Sequence, residues 1–248
     1  MRLLGAELLK YKRTFMAKLV IFIPLFFAAY SLATDYLMPG AYDWNGILVL
    51  SFNWWPVAFL PMGFGLFAAM VASQEKKAGR YRVLKAEPLA SQRVWLAKIG
   101  GMAVISACSS LVLIAGDMVC GLIEGDVPPF RVVVVAAVLC WLATLALIPL
   151  QLWVATWAGM LPSIALGVAG SLGGVLLAPT KLWLFCPWSW AIRLMCPTIG
   201  VHPNGTILPE GSRLFDASVI PLGLVVSLLA LVVFSALTAM WFARRDVK

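Results

Sequence analysis

Residues 217–242, ASVIPLGLVVSLLALVVFSALTAMWF, contain no charged side chain. This run exceeds the ~20 apolar residues that a helix needs to cross the hydrocarbon core of a bilayer. Comparable runs lie at about residues 19–38, 47–72, 95–119, 132–154 and 161–178. The sequence therefore predicts an all-α integral membrane protein with six transmembrane helices.

The overall composition supports the same class of protein. Of the 248 residues, 62% are hydrophobic and 12% are charged, whereas an average soluble domain is about half apolar and about a quarter charged. A soluble chain of this length could not bury so much apolar surface, because the surface of a folded protein grows with its mass. Composition thus excludes an ordinary soluble enzyme, a disordered protein and a secreted disulfide scaffold, and it favours one transmembrane domain over residues 1–248.

The distribution of basic residues predicts the orientation. With both termini in the cytoplasm, the cytoplasmic segments hold 15 of the 19 Lys and Arg residues, in agreement with the positive-inside bias. These are Arg2, Lys10, Lys12, Arg13, Lys18, Lys76, Lys77, Arg80, Arg82, Lys85, Arg93, Lys98, Arg244, Arg245 and Lys248. Within residues 1–18 the apolar side chains recur at helical spacing between basic ones, which is typical of an amphipathic helix at the membrane surface.

The second predicted span contains Trp54, Trp55 and Pro56, followed by Pro61. Because proline lacks the N–H that a helix needs, we expect a kinked or broken helix at this point. The two indoles either pack around the kink or form an aromatic wall along a substrate pathway, since indole can contact both apolar and cationic groups.

The long outer segment, residues 179–216, contains the apolar stretch PWSWAIRLMCP at 187–197. This stretch predicts a short helix resting in the outer interface, or a re-entrant hairpin. Cys186 and Cys196 both lie in the outer segment, ten residues apart, and either pair as a disulfide or stay free. In the fifth span Gly170, Gly173 and Gly174 permit close helix packing, within the chain or against another chain.

Catalytic motifs are missing from the sequence. There is no G-x-x-x-x-G-K-[ST] phosphate-binding loop, and no predicted span holds a pair of acidic residues. Asp117 alone lies near a membrane core, close to the predicted outer end of its span. Since buried ionisable groups mark proton relays and ion-coupled carriers, we expect the energy for any transport to come from a partner protein.

The cytoplasmic segment at residues 73–94 begins SQEKKAGRYRVLKAEPLASQR. An acid at the end of a span, a Gly, a short apolar helix, a Pro and a Ser-x-Arg leading to Lys98 resemble the coupling region of ABC-2-type (type V) exporter permeases. In that family the segment docks in a groove of the ATPase subunit. The resemblance implies that Lys76, Lys77, Arg80 and Arg82 pair with acids on the ATPase, that Glu75 pairs with a base, and that Gly79 belongs to the same coupling site.

Further patterns resemble the permease subunits of lantibiotic-immunity ABC exporters. One is E-K-K-A-G-x-Y-R-x-L at residues 75–84, and the outer segment adds Pro187-Trp188 and Pro203-Asn204-Gly205. The N-terminal pattern matches at Arg2, Leu3, Leu4, Ala6, Glu7, Leu8, Lys10, Lys12, Arg13 and Phe15. This similarity extends over the whole chain, through six spans and matching loop lengths.

The resemblance implies a permease subunit, with no enzyme activity of its own, in an ATP-driven exporter that expels a lantibiotic peptide from the producer's membrane. The implied partners are two copies of an ATPase, which hold ATP and Mg, and a second permease chain or a second copy of this one. The chain itself binds no cofactor and no nucleic acid, and it lies in the bacterial cytoplasmic membrane. The alternatives are an ABC-2 permease for another cargo, such as a lipid or another antibiotic, and a stand-alone membrane sensor or binding protein.

Overall fold

The computed structural model describes residues 2–12, 14–38, 46–77 and 90–245. No strand occurs in these ranges, and one antiparallel bridge pairs Val201 with Ile207. The α-helices are α1 (Arg2–Tyr11), α2 (Phe15–Leu37), α3 (Gly46–Trp54), α4 (Leu60–Lys77), α5 (Ser91–Glu124), α6 (Phe130–Thr144), α7 (Leu147–Ala158), α8 (Met160–Leu177), α9 (Ser189–Ile199) and α10 (Val219–Arg244). The all-helical prediction is confirmed.

In the part of the chain that the structure describes, five helical segments are long and apolar enough to cross a membrane, and they overlap five of the predicted spans. They are Phe15–Thr34, Gly46–Lys77, Ser91–Glu124, Met160–Leu177 and Val219–Arg244. Helices α6 and α7 pass the same test only as a pair, and they are bent by 44°. Within the described ranges the total reaches six if this bent pair is one span. Six crossings and cytoplasmic termini therefore stay predictions.

The predicted kink in the second span takes the form of a π-helical turn, Trp55–Phe59, between α3 and α4. Pro56 lies at the start of this turn, and the N–H of Leu60 reaches back to the carbonyl oxygen of Trp55. The missing N–H of a proline interrupts the regular helical hydrogen bonds, and a wider turn restores the ladder beyond it. The helix therefore changes geometry without breaking.

The fourth predicted span, residues 132–154, is not one straight helix. Helix α6 ends at Thr144 and α7 begins at Leu147. Pro149 gives a physical reason, because its ring meets the carbonyl of Leu145 one turn earlier and it offers that carbonyl no N–H. At the break the N–H of Ile148 bonds to Leu145 O at 3.1 Å, which is the tighter spacing of a 3₁₀ turn.

The apolar stretch of the outer segment forms a short helix, α9, which is buried within the chain. Its residues 189–196 are all buried, and α9 packs against α6, α8 and α10. Trp190 is 3% exposed, and its indole N–H donates to Leu184 O at 3.0 Å. The predicted short helix is therefore present and is covered by neighbouring helices, and its placement in the outer interface or in a re-entrant hairpin stays a prediction. Cys186 and Cys196 are both free thiols.

The glycines of α8 explain how the outer segment packs so closely. A Cβ on Gly170 would overlap the indole ring of Trp188, and one on Gly174 would lie 2.8 Å from the Trp188 carbonyl oxygen. Among the described residues nothing lies within 4 Å of the equivalent position on Gly173. Two of the three glycines thus make a contact within the chain.

Candidate functional site

Helix α1 lies against the first turns of α5. Gly100 and Gly101 make this approach possible, because a Cβ on Gly101 would lie 3.2 Å from Tyr11 Cε2 and one on Gly100 would lie 3.4 Å from Leu4 Cδ1. Tyr11 is only 3% exposed. The N-terminal helix predicted from the sequence is therefore present, and part of its apolar face is covered by α5.

Four charged side chains from three helices contact one another, and we call them the ion cluster. They are Glu7 and Lys10 of α1, Glu75 of α4, and Lys98 of α5. Lys10 Nζ lies 2.8 Å from Glu7 Oε1 and 2.7 Å from Glu75 Oε1. Lys98 Nζ lies 3.1 Å from each carboxylate oxygen of Glu7 and also donates to Glu75 Oε1. Both lysines thus bridge both acids.

The ion cluster is almost closed to solvent. The side chain of Lys98 is 1% exposed, and those of Glu7 and Glu75 are 6% and 7% exposed. Only Lys10 reaches solvent, with 36% of its side chain exposed. Two positive and two negative charges balance, which is the condition under which buried ions are tolerated. Removing one member leaves a buried charge uncompensated, a change that costs about 3–5 kcal/mol in buried ion pairs.

The protonation states of α1 follow from this arrangement. Burial by itself lowers the pKa of Lys10, but hydrogen bonds and the charges of Glu7 and Glu75 together raise that pKa above its ordinary value. Burial raises the pKa of the Tyr11 hydroxyl, and the charges of Glu7 and Glu75 raise it further. A raised lysine pKa keeps the stabilising charge at all pH values below the ordinary lysine pKa. Lys10 is therefore charged at neutral pH.

Of the six predicted coupling residues, three lie within the described ranges, and these three differ in their exposure to solvent. Glu75 lies in the ion cluster, where Lys10 and Lys98 are already its partners. Lys76 and Lys77 are exposed in the last turn of α4. Gly79, Arg80 and Arg82 lie outside the described residues. A coupling role for Glu75 stays a prediction, and its direct contacts here are with its own chain.

The two tryptophans of the second span differ in environment. Trp55 is 2% exposed, and its ring stacks 6.2 Å from that of Phe59. Trp54 is 40% exposed. The environment of Trp55 agrees with packing around the proline, whereas Trp54 presents a surface that a substrate could contact. An aromatic substrate wall stays a prediction, with Trp54 as its accessible member.

A second buried polar group lies in the core of the helical bundle. Asp117 of α5 is fully buried, and its Oδ1 accepts a hydrogen bond from the Ser51 hydroxyl of α3 at 2.8 Å. Ser51 Oγ lies 2.9 Å from Ser31 Oγ of α2. Within the described part of the chain Asp117 Oδ2 has no hydrogen-bond partner. The three side chains thus connect three helices in an apolar interior.

Sequence reasoning missed most of the ion cluster. It selected Glu75 but treated Glu7 and Lys10 as parts of an N-terminal pattern and Lys98 as the end of a cytoplasmic segment. A signal was present, because Lys98 lies inside a long apolar helix, where a charged side chain needs a partner. The sequence does not show that α1 packs against α5, which brings Glu7 to Lys98, or that α4 places Glu75 beside the same lysine.

Comparison with known proteins gives the family. A sequence model described as "ABC-2 family transporter protein" matches residues 3–174, which is more than half of the chain. No curated protein and no solved structure gives a significant match. The matched range includes all four members of the ion cluster. The chain belongs to the ABC-2 transporter family, whose members are the membrane permease components of ABC transporters.

Proposed function

We propose that this chain is the transmembrane subunit of an ABC exporter and that the ion cluster couples its spans to the ATPase. The observation that carries the proposal is the burial of Glu75 between Lys10 and Lys98, which ties the ends of α1, α4 and α5 together. Family membership implies association with an ABC ATPase. Glu75 and Lys98 lie on the two helices that flank residues 78–89, the predicted contact segment for the ATPase, and this position supports the proposal.

The position of the ion cluster suggests how coupling works. Residues 78–90 join the end of α4 to the start of α5, so a force on this segment would act on the ends of both helices. Lys76 and Lys77 supply exposed positive charge beside it, suited to acids on the ATPase. The buried ion pairs resist separation of the three helix ends, because an unpaired buried charge is costly. Closure of the ATPase dimer would therefore move α1, α4 and α5 as one unit.

For the cargo we propose a lantibiotic-type peptide, which this exporter would expel from the producer's own membrane. The proposal rests on the resemblance of residues 75–84 and of the N-terminal pattern to lantibiotic-immunity permeases. The half-exposed indole of Trp54 is suited to a peptide that is both apolar and cationic. The alternative within the same family is another cargo, such as a lipid or another antibiotic.

Purification of the tagged chain from its native membrane in mild detergent, followed by mass spectrometry, tests the assembly. We expect an ABC ATPase and a second permease chain, or a second copy of this one, in the purified complex. A chain that is recovered alone under several mild conditions would contradict the exporter assignment and would favour a membrane sensor.

A survival assay tests the cargo separately. Cells that express the complete complex are expected to tolerate higher concentrations of a lantibiotic than cells carrying an ATPase variant that cannot hydrolyse ATP. Bacitracin-like peptides and an uncharged lipophilic antibiotic serve as comparison compounds. Protection against these compounds without protection against the lantibiotic would contradict the cargo and leave the exporter assignment intact.

A further inference from the structure

Helices α4 and α8 contact each other through their backbones at two glycines. A Cβ on Gly65 of α4 would lie 3.0 Å from the carbonyl oxygen of Ser163 and 3.4 Å from the Cα of Ile164, both on α8. A Cβ on Gly167 of α8 would lie 3.0 Å from the carbonyl oxygen of Pro61 on α4. In each case the neighbouring atoms belong to the backbone, so no side-chain rotation could make room for a larger residue.

Buried polar groups tie a third helix, α7, to this contact. Of the two orientations of the Gln151 amide, one gives each polar atom a complementary partner. In it the amide nitrogen donates to Ser163 O at 2.8 Å, and the amide oxygen accepts from the N–H of Gly167 at 3.2 Å. The Ser163 hydroxyl donates to the Gly65 carbonyl oxygen at 3.1 Å. The side chains of Gln151 and Ser163 are fully buried, and we call Gly65, Gln151, Ser163 and Gly167 the polar junction.

The polar junction resists separation of its three helices. Moving α4 away from α8 breaks the hydrogen bond from Ser163 to Gly65, and moving α7 away breaks both hydrogen bonds of the Gln151 amide. Such a loss is costly in an apolar interior, where water does not replace the missing partner. Sliding α4 along α8 would instead press one backbone into the other, because the two helices are closely packed at the glycines. Helices α4, α7 and α8 should therefore move as one body.

The polar junction lies between the ion cluster and the outer segment. Glu75 of the ion cluster follows Gly65 by ten residues on the same helix, which is about 15 Å at the helical rise. Beyond the junction, α8 leads into the outer segment, and its Gly170 and Gly174 lie directly against Trp188 of that segment. Helix α8 thus contacts α4 along one part of its length and the outer segment along the next.

We infer that the polar junction transmits the movement of α4 to the outer segment, which makes Gln151 and Ser163 positioning residues of the transport cycle. This inference rests on the proposed function, because the ion cluster is what moves α4 when the ATPase dimer closes. The movement passes from α4 to α8 through the two glycine contacts and from α8 to Trp188. The outer segment should therefore change its exposure whenever the ATPase dimer closes.

Maleimide labelling of Cys186 in the complete complex tests this inference. Cys186 is a partly buried free thiol of the outer segment, and it is kept as the single cysteine of the chain. In lipid vesicles we expect its labelling rate to change when vanadate traps nucleotide in the ATPase. Gly65→Ala forces α4 and α8 apart and should abolish this change. The matched control is Gly63→Ala on the same helix, where the described residues leave 4 Å of open space, and it should keep the change.

Gln151→Met tests the junction without adding volume. Methionine has about the length of glutamine but cannot bridge Ser163 O and the N–H of Gly167. The variant should lose much of the nucleotide-dependent change at Cys186, and it provides the test if Gly65→Ala does not assemble with the ATPase. An unchanged nucleotide response in assembled Gly65→Ala or in assembled Gln151→Met would overturn the inference.

Cargo-stimulated ATP hydrolysis, measured on the same samples, separates this inference from the proposed function. A wild-type complex that responds to cargo but shows no nucleotide-dependent change at Cys186 would overturn the inference and leave the exporter assignment intact. A wild-type complex without cargo-stimulated hydrolysis would contradict the proposed function, and the inference would fall with it. The expected result is a response to cargo and to nucleotide in wild type and Gly63→Ala, with the nucleotide response at Cys186 lost in Gly65→Ala.

Discussion

At the scale of single residues, Lys98 holds the ion cluster together. Its ammonium contacts both Glu7 and Glu75 while only 1% of its side chain is exposed. A buried charge in such a position is tolerated only while its oppositely charged partners stay beside it. The sequence shows the lysine and both acids, but it does not show that they meet, because they lie on three separate helices.

The ion cluster makes a prediction for stability that depends on charge balance. Lys98→Met leaves two buried carboxylates with one lysine, and we expect it to lower the free energy of unfolding by about 3–5 kcal/mol. Adding Glu75→Gln restores neutrality, because the pair of Glu7 and Lys10 remains at 2.8 Å. The double variant should therefore be more stable than Lys98→Met alone in thermal unfolding in detergent. A double variant whose loss equals the sum of the two single losses would argue against coupled charges.

The buried hydroxyls around Asp117 give a second residue-scale prediction. Ser51→Ala removes the hydrogen bond to a fully buried carboxyl group, and we expect a loss of about 1–3 kcal/mol. Ser31→Ala is the matched control, because the bond from Ser51 to Asp117 survives and the cost should be smaller. Thermal unfolding of the two purified variants makes the comparison. Equal losses would show that the hydrogen bond from Ser51 to Asp117 contributes no more to the free energy of unfolding than the one between Ser31 and Ser51.

At the scale of elements, prolines and packing partners decide where sequence prediction holds and where it fails. The apolar runs locate five membrane-length helices correctly because length and hydrophobicity are local properties. The bend at Pro149 and the π-helical turn at Pro56 follow from missing N–H groups, yet their geometry depends on the surrounding helices. The burial of α9 depends wholly on its neighbours, so an amphipathic stretch alone could not distinguish a covered helix from a surface one.

The glycines of α8 allow a matched test of this packing. Gly170→Ala places a methyl group in the ring of Trp188, and we expect it to destabilise the contact between α8 and the outer segment. Gly173→Ala adds the same methyl group where the described residues leave open space. It should be neutral or stabilising, by up to about 1 kcal/mol from helix propensity. Limited proteolysis of the outer segment measures the difference, and equal cleavage in both variants would contradict the packing.

Cysteine labelling tests the burial of α9 directly. Burial raises the pKa of the Cys196 thiol to about 11, so little of it is the reactive thiolate at pH 8. Cys186 is only partly buried. In variants that keep a single cysteine, a water-soluble maleimide should label Cys186 much faster than Cys196 at pH 8. Labelling of Cys196 should rise as the pH approaches its pKa. Equal rates at pH 8 would show that the Cys196 thiol is as accessible as that of Cys186 and would contradict the burial of α9.

At the scale of the whole molecule, the proposed coupling mechanism combines membership of the ABC-2 family with the contacts of the ion cluster. The membrane class, the spans and the resemblance to ABC-2 permeases could be obtained from composition and motif order. The candidate site could be obtained only in part, since its members are separated by up to 91 residues along the chain. Motif spacing cannot show that α1, α4 and α5 share one set of buried charges. The contacts in the folded structure show it.

The most direct measurement is cargo-stimulated ATP hydrolysis by the complete complex in lipid vesicles. We compare wild type, Lys98→Met and Lys18→Met, where Lys18 is an exposed lysine of α2 outside the ion cluster. The account predicts that Lys98→Met still assembles with the ATPase but loses most of the stimulation, while Lys18→Met keeps it. Full stimulation in an assembled Lys98→Met complex would contradict the claim that the ion cluster couples the spans to the ATPase.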